Sequence, residues 1–403
     1  MSKIEGRREK VVIFDPPSSI LVDLTRTADV IVIGAGAIGC CIAYQLAKSR
    51  LKVVVIEKTE PGYEASSAAA GMLSPRYDPA GHRPYFDLCL AGHQLYPALA
   101  EELRGFTGID IELLQYGTLE LFLDEEDEKE GQYLDPFQKG VGLATELLAP
   151  EQVWEMEPAL SRTLRGALFF PKDRHVNNPR LVEALARGAL RLGVEFLVGK
   201  PVTEILRDPS RVSGVKAYDE TIQGDTLVIA TGCWSNQMGT LLNYPLPVEP
   251  AKGQMVATES FPPLLNHVVA SRKVYLVPRL GVGARGGAPL LIGATVEFVG
   301  YDKRVTLQGV ETLIRDALEI VPSLGDKALT RTWAGLRPYT RDLLPILGPI
   351  PGMENVVVAT GHFRNGILLT PITGKLIQEL IVDGKTSLSL EPFSPRRFAR
   401  GRT

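Results

Sequence analysis

One stretch near the N-terminus leaves little freedom in what this chain can build. Residues Asp29–Ile33 (DVIVI) are a β-branched run of strand character, followed at once by Gly34-Ala35-Gly36-Ala37-Ile38-Gly39 and then by Cys40–Lys48. In that last segment the apolar residues Ile42, Ala43, Leu46 and Ala47 recur at helical spacing. A second strand-like run, Lys52–Ile56, ends in Glu57. The order is strand, GxGxxG, helix, strand, acid. Gly34 permits a tight turn, Gly36 lets backbone approach a pyrophosphate, and Gly39 lets the helix pack close to the strand. The helix N-terminus offers free N–H groups and a positive dipole end to phosphate oxygens. Glu57 can accept hydrogen bonds from ribose hydroxyls, which disfavours a 2′-phosphate. The glycine string alone is weak, but in this setting it predicts a bound dinucleotide.

The same string recurs at Gly281-Val282-Gly283-Ala284-Arg285-Gly286. Its flanks, Val274–Pro278 and Leu290–Thr295, are both strand-like. A strand–loop–strand has no helix N-terminus to hold phosphate, so this copy reads as a hairpin loop and no second nucleotide site is expected. Which dinucleotide binds at the first copy depends on the rest of the chain. Pro61–Leu73 (PGYEASSAAAGML) is rich in small residues that let the chain pass close to a bulky group, with Ser66 and Ser67 able to donate to phosphate. The strand Thr226–Ala230 ends in Thr231-Gly232, and Val356–Val358 leads into Gly361. Three strand ends converging on one crevice would surround a long cofactor from both sides. That favours FAD over a transient nicotinamide.

The remaining composition mainly excludes. A length of 403 residues with 45 % hydrophobic residues suffices for two domains or one large composite. A net charge of −3, with both signs mixed along the chain, gives no footprint for nucleic acid. The acidic run Asp124–Glu130 reads as a solvated helix start. The cysteines (Cys40, Cys41, Cys89, Cys233) form no CxxC pair and the histidines no HxxxH pattern, so neither metal nor disulfide is expected, and a reducing cytoplasmic setting fits. No apolar run reaches the roughly 18 residues a membrane span needs. Ile4–Arg7 reads IEGR, a string found in protease-cleavage tags, and residues 1–27 are set aside as an N-terminal extension.

The expected fold is α/β, an α+β composite. A Rossmann-like FAD-binding domain with a parallel sheet (28–84, 172–240, 331–385) interleaves in sequence with a mixed-sheet substrate-binding domain (85–171, 241–330). Within it, Pro179 and Gly193 bracket a helix over 179–192. Residues 386–403, polar and rich in Pro and Arg, read as a loosely held C-terminal tail.

Beyond these patterns lie GAGAIG at 34–39, SSAAAGML at 66–73, ATGCWS at 230–235, VYLVPR at 274–279, WAGLRPYTRD at 333–342 and GHFRNGILL at 361–369. With them the chain resembles the D-amino-acid-oxidase-like FAD-dependent oxidoreductases over about 28–385, and within them the glycine-oxidase branch linked to thiamine biosynthesis. The resemblance implies an oxidase that converts a small amine-bearing carboxylate, glycine in this branch, to its imine and then glyoxylate, with O2 reduced to H2O2. It assigns the substrate carboxylate to Arg337, with Arg364, Tyr275 and Met72 at the same site. It assigns flavin contacts to Gly34, Gly36, Ala37, Ile38, Gly39, Glu57, Lys58, Ser66, Ala70, Gly71, Met72, Val202 and Gly232. Around the flavin ring it adds His362, Phe363, Arg364, Asn365, Gly366, Ile367 and Leu368. It further implies a homotetramer and hand-off of the imine to a thiazole synthase. Relatives carry histidine where this chain has Lys273, whose charge would favour a more acidic substrate if it faced the pocket. No cysteine lies in the AGLRP loop, so FAD is expected to be noncovalent.

The chemistry suits such a role. A planar guanidinium grips a carboxylate through two parallel hydrogen bonds and so orients as well as binds. Gripping glycine there leaves Cα free to be aimed at flavin N5, and orientation is the protein's main contribution. No side chain is assigned as acid or base, and the turn before the last helix (366–382) is expected to direct that helix's N-terminus at the flavin. Sarcosine, a D-amino acid or proline as substrate, a dehydrogenase using another acceptor, and a catalytically silent flavin-bound subunit all remain open at this point.

Overall fold

The computed structural model describes residues 26–398 apart from 209, 261 and 280–288. The tagged-looking N-terminus and the second glycine string therefore lie outside the described residues. The flanks of that string, Tyr275–Pro278 and Leu290–Gly293, pair antiparallel, with Pro278 opposite Leu290.

Among the described residues lie two eight-stranded sheets and a short antiparallel pair, Met72–Leu73 with Arg174–His175. The first runs in the order Ile346–Ile350, Met353–Thr360, Glu220–Ile229, Arg26–Ile33, Val53–Glu57, Glu195–Val198, and all neighbours from Met353–Thr360 onward are parallel. Every residue of Val53–Glu57 is buried, as expected of a parallel strand covered on both faces. On one face lie the helices Ala37–Lys48, Arg83–Thr107, Asn178–Arg191 and Thr370–Asp383, which share one apolar core with the sheet. On the other, the antiparallel strands Val202–Arg207 and Val212–Ala217 and the helix Ser235–Leu242 close a second core. The glycine turn follows directly from Arg26–Ile33. Gly34 has φ +102°, and a Cβ at Gly39 would collide with the Gly34 carbonyl oxygen. Only glycine allows this approach.

The second sheet runs Leu329–Tyr339, Glu249–Thr258, Leu290–Gly293, Tyr275–Pro278, Val268–Ala270, Thr118–Phe122, Gly166–Phe170, Glu146–Leu148. It is mixed, since Val268–Ala270 runs parallel to Thr118–Phe122. The helices Leu307–Ile320 and Pro150–Met156 bury their apolar faces against it. Asp124 caps the helix Glu125–Gly140 by accepting from the Asp127 N–H, so the acidic run is a helix start.

Three segments differ from the expected division. The strand Leu329–Tyr339, its residues 331–339 placed with the FAD-binding segments, pairs along its length with Glu249–Thr258 and belongs to the second sheet. The helix Arg83–Thr107, placed with the substrate-binding segments, buries Leu88, Tyr96, Leu99 and Leu103 in the core of the first sheet. Residues 386–398 are not loosely held. Phe393 is buried in that same core, Arg397 pairs with Asp342 at 2.7 Å, and the Tyr244 hydroxyl donates to the Pro395 carbonyl at 2.9 Å. Composition suggested a tail because one aromatic anchor carries little weight among many polar residues. The first strand also begins at Arg26, three residues before the expected Asp29.

Candidate active site

A cavity of about 540 Å³ runs between the two sheets, from the glycine turn to Arg337. At its first end the Ala37 N–H donates to Ser66 Oγ at 2.9 Å. The N–H groups of Ile38 and Gly39 have no acceptor among the described residues, and the N-cap residue Gly36 has no side chain to supply one. They are orphan donors of a helix N-terminus, the arrangement that takes a phosphate. The Glu57 carboxylate is fixed at the strand end by the Ala35 N–H at 2.8 Å and the Thr59 N–H at 2.9 Å. The Thr59 hydroxyl also donates to Oε1 at 3.1 Å, which leaves Oε2 a lone pair for a ribose hydroxyl. Beyond it, Lys58 Nζ stands 3.1 Å from the centre of the Trp234 ring, which stacks on Tyr301.

Midway along, the 66–72 segment is clamped from behind. Asn178 donates to the Ser66 carbonyl, and Arg279 donates to the carbonyls of Ala70 at 2.9 Å and Val176 at 2.5 Å. The opposing 361–367 loop is tied to the helix Arg83–Thr107. Tyr96 donates to the Ile367 carbonyl, and Asn365 donates to the Tyr85 hydroxyl at 2.8 Å. His362 is buried, with Nε2 3.1 Å from Thr373 Oγ, and burial pushes its pKa down to about 3. It is a neutral structural group, not an acid or base at ordinary pH.

The far end is built by sheet register. In-register partners run Glu120, Ala270, Tyr275, Gly293, Met255 and Trp333 across the second sheet. Cross-strand partners share a face, so this row presents Tyr275 and Met255 to the cavity together. Arg337, four residues beyond Trp333, is on the same face opposite Ala251. A Cβ at Gly253 would strike the Arg337 guanidinium, so that side chain lies over the bare backbone of Gly253. Arg337 Nη1 donates to the Thr295 carbonyl at 3.0 Å. Burial raises the pKa of Tyr275 against the opposing pull of Arg337 and Arg364. Burial lowers that of Arg364, and the like charge of Arg337 lowers it further. Neither arginine pairs with a carboxylate among the described residues. Two guanidiniums and a phenol facing one space, with no protein anion between them, make a slot for an anion.

The family profile for FAD dependent oxidoreductases (DAO) matches residues 29–380. The chain belongs to this family. It is 38 % identical over 376 residues to a glycine oxidase of Geobacillus kaustophilus, covering 93 % of this chain and 98 % of that one. A crystal structure of glycine oxidase from Geobacillus kaustophilus superposes with a TM-score of 0.87 at 38 % identity, covering 92 % of this chain and 98 % of the other. A bifunctional ThiO/ThiG protein of Synechocystis is 36 % identical across 93 % of this chain, which spans 55 % of that longer protein. The protein is an FAD-dependent amino-acid oxidoreductase.

The residues present fit FAD. The orphan N–H group of Ile38 at the helix N-terminus suits its diphosphate, Glu57 its ribose, and the clamped 66–72 and 361–367 segments bound the space left for its ring. Of the residues expected from sequence, Gly34, Gly36, Ala37, Ile38, Glu57, Lys58, Ser66, Ala70, Gly71, Met72, Val202 and Gly232 all line the cavity. So do His362 through Ile367, Tyr275, Arg337 and Arg364. Two expected contacts are not on its wall. Gly39 is used in helix packing against Gly34, and the buried Leu368 turns its carbonyl toward Gly92. The final α-helix starts at Thr370 and not at 366, after a 3-10 turn over Phe363–Asn365. Lys273 does line the cavity mouth, but its ammonium pairs with Glu319 at 2.8 Å. Its charge is thus committed to the helix Leu307–Ile320 and adds none to the slot. Sequence reasoning missed Gly253, Met255, Thr295 and Trp234. Only Trp234, inside ATGCWS, stood in a motif that could have flagged it.

Among the described residues no helix is long and apolar enough to cross a membrane, and no group of His, Cys, Asp and Glu could hold a metal ion.

Proposed function

We propose that this protein oxidises glycine, and more slowly other small amines such as sarcosine or D-amino acids, to the imine. The carrying observation is the meeting of Arg337, Arg364 and Tyr275 at the end of a cavity whose other end is a nucleotide cradle. Arg337 forks the substrate carboxylate, Tyr275 donates its phenolic proton to the same group, and Arg364 supplies the second positive charge. The carboxylate is thereby fixed and Cα directed to the middle of the cavity, whose wall includes Met72. The amine must lose its proton before Cα can release a hydride, so turnover rises toward alkaline pH. Burial keeps Tyr275 a neutral donor through that range. Noncovalent FAD supplies the two-electron acceptor and, through O2, the route to H2O2. Two electrons and two protons leave the amino acid; the imine then hydrolyses to glyoxylate or passes to thiazole formation. The fused ThiO/ThiG relative supports that second fate.

The test is peroxide release by the purified flavoprotein with glycine, sarcosine, D-alanine and D-proline, alongside Arg337→Ala. Turnover with glycine that the variant loses while keeping its flavin spectrum supports the reading. Flavin reduction by an amine without peroxide would instead make the protein a dehydrogenase with another acceptor. Preference for another amine would move it within the same scaffold.

A further inference from the structure

The carboxylate clamp has a backing that the cavity does not reveal. Strand pairing between Glu249–Thr258 and Leu290–Gly293 ends with Met255 opposite Gly293 and resumes as a single bridge with Lys252 opposite Glu297. Three residues, Ala294, Thr295 and Val296, thus face two, Gly253 and Gln254. This is a bulge, a device that re-aims the chain. It pushes the Thr295 carbonyl toward Arg337, which donates to it at 3.0 Å.

The bulge is held from the sheet face away from the cavity. Thr295 Oγ accepts from the Gln254 N–H at 2.9 Å and donates to Glu297 Oε1 at 2.5 Å. Gln254 Nε2 donates to Glu297 Oε1 at 2.8 Å and to Thr306 Oγ at 3.0 Å, and its Oε1 accepts from the Thr306 N–H at 2.8 Å. The carboxylate's other oxygen pairs with Lys252 Nζ at 2.8 Å. Lys252 is only 2 % exposed, and it also donates to the Arg304 carbonyl at 3.3 Å. The backbones of Lys252 and Glu297 exchange both hydrogen bonds, at 2.8 and 2.9 Å. A buried lysine is retained only where partners compensate its desolvation. Here one of those partners, the Glu297 carboxylate, also accepts from the Thr295 hydroxyl inside the bulge.

We infer that Thr295, locked by Glu297 and Lys252, is a positioning residue for substrate binding: it holds one N–H of Arg337 so that the remaining guanidinium edge meets the substrate carboxylate in a fixed plane. Arg337 lies over glycine with no carboxylate against it among the described residues, and beside the Tyr275 phenol this backbone carbonyl is what holds its plane. The contact leaves the charge of Arg337 intact. Its loss therefore weakens ground-state and transition-state binding alike, raising KM with little change in kcat.

This inference rests on Arg337 being the carboxylate clamp, and the experiment separates the two. Glycine kinetics and the dissociation constant of acetate, read from the flavin absorbance, are measured for the wild type, Arg337→Ala, Thr295→Val, Thr295→Ser and Glu297→Gln. Melting temperature and FAD affinity are measured for the same set. Arg337→Ala reports on the clamp alone; if it binds acetate as the wild type does, the clamp reading and this inference both fall. With the clamp upheld, Thr295→Val is expected to raise KM and the acetate constant about tenfold with kcat within twofold. Glu297→Gln should act in the same direction, Thr295→Ser should restore wild-type values, and FAD affinity should not move. Unchanged KM in Thr295→Val overturns the inference with the clamp intact. So does a rise in KM matched by loss of FAD affinity, or a Thr295→Ser variant as impaired as Thr295→Val, since either indicates a general structural role.

Discussion

The two ends of the cavity hold charge in opposite ways. At the cradle, neighbouring residues of one turn do the work: Gly34, Gly36 and the N–H group of Ile38 face the space through backbone, with Gly39 packed behind them. At the clamp, side chains from three strands (Met255, Tyr275, Arg337) are brought together by register and joined by Arg364 from the 363–365 turn, and each depends on others behind it. Backbone positions cannot yield, whereas side chains can swing. Damage to the cradle should therefore be all-or-none and damage to the clamp graded.

The largest effect is expected at Gly39. A Cβ there meets the Gly34 carbonyl oxygen, which is fixed by the turn, so Gly39→Ala should yield protein without flavin, checked by the absorbance spectrum after purification. Retained flavin would show the turn to be more pliable than described. Next is Arg337→Ala. Removing a desolvated charge partner costs about 2–5 kcal/mol, a factor of roughly 30 to 5,000 in kcat/KM, with the flavin spectrum unchanged. Equal loss of flavin would erase the distinction between the two ends. Gly253→Ala sharpens it. Its Cβ also collides, but with the movable end of the Arg337 side chain. Flavin should stay and KM should rise by about an order of magnitude, far short of the collapse expected at Gly39 from the same added methyl group.

That contrast also explains what could be read from the sequence. The cradle was legible because its parts are contiguous: strand, turn, helix and Glu57 fall within one unit whose geometry each residue type dictates. The clamp was legible only as resemblance, since nothing local in WAGLRPYTRD says what Arg337 faces. Gly253, Met255 and Thr295 stayed invisible because their roles come from pairing across distant strands and from a bulge that no residue type announces. The same limit misplaced the helix Arg83–Thr107. Its apolar stripe shows that it buries a face, and only the fold shows that the face meets the first sheet. Leu329–Tyr339 was misassigned for a related reason, because a strand pattern names no partner.

The smallest prediction concerns the seam between the two ends. His175 lies opposite Met72 in a short antiparallel pair, directly behind the segment that flanks the ring space. It is buried, and neither ring nitrogen has a hydrogen-bond partner among the described residues. Burial first, and the charge of Arg279 second, push its pKa from 6.5 down to about 3. The folded protein therefore keeps this imidazole neutral where the unfolded chain would protonate it. Its contribution is present above the unfolded pKa and is lost as pH falls from 6.5 toward 3. Between pH 7 and pH 5.5 the loss amounts to about 1 kcal/mol, on top of the similar burden from His362. His175→Phe should remove that share, flattening the fall in urea-unfolding free energy across this interval while leaving glycine KM unchanged. If the slope stays as in the wild type, the ring takes up its proton inside the folded protein. The seam behind Met72 would then be open to water and could not serve as a rigid wall common to cradle and clamp.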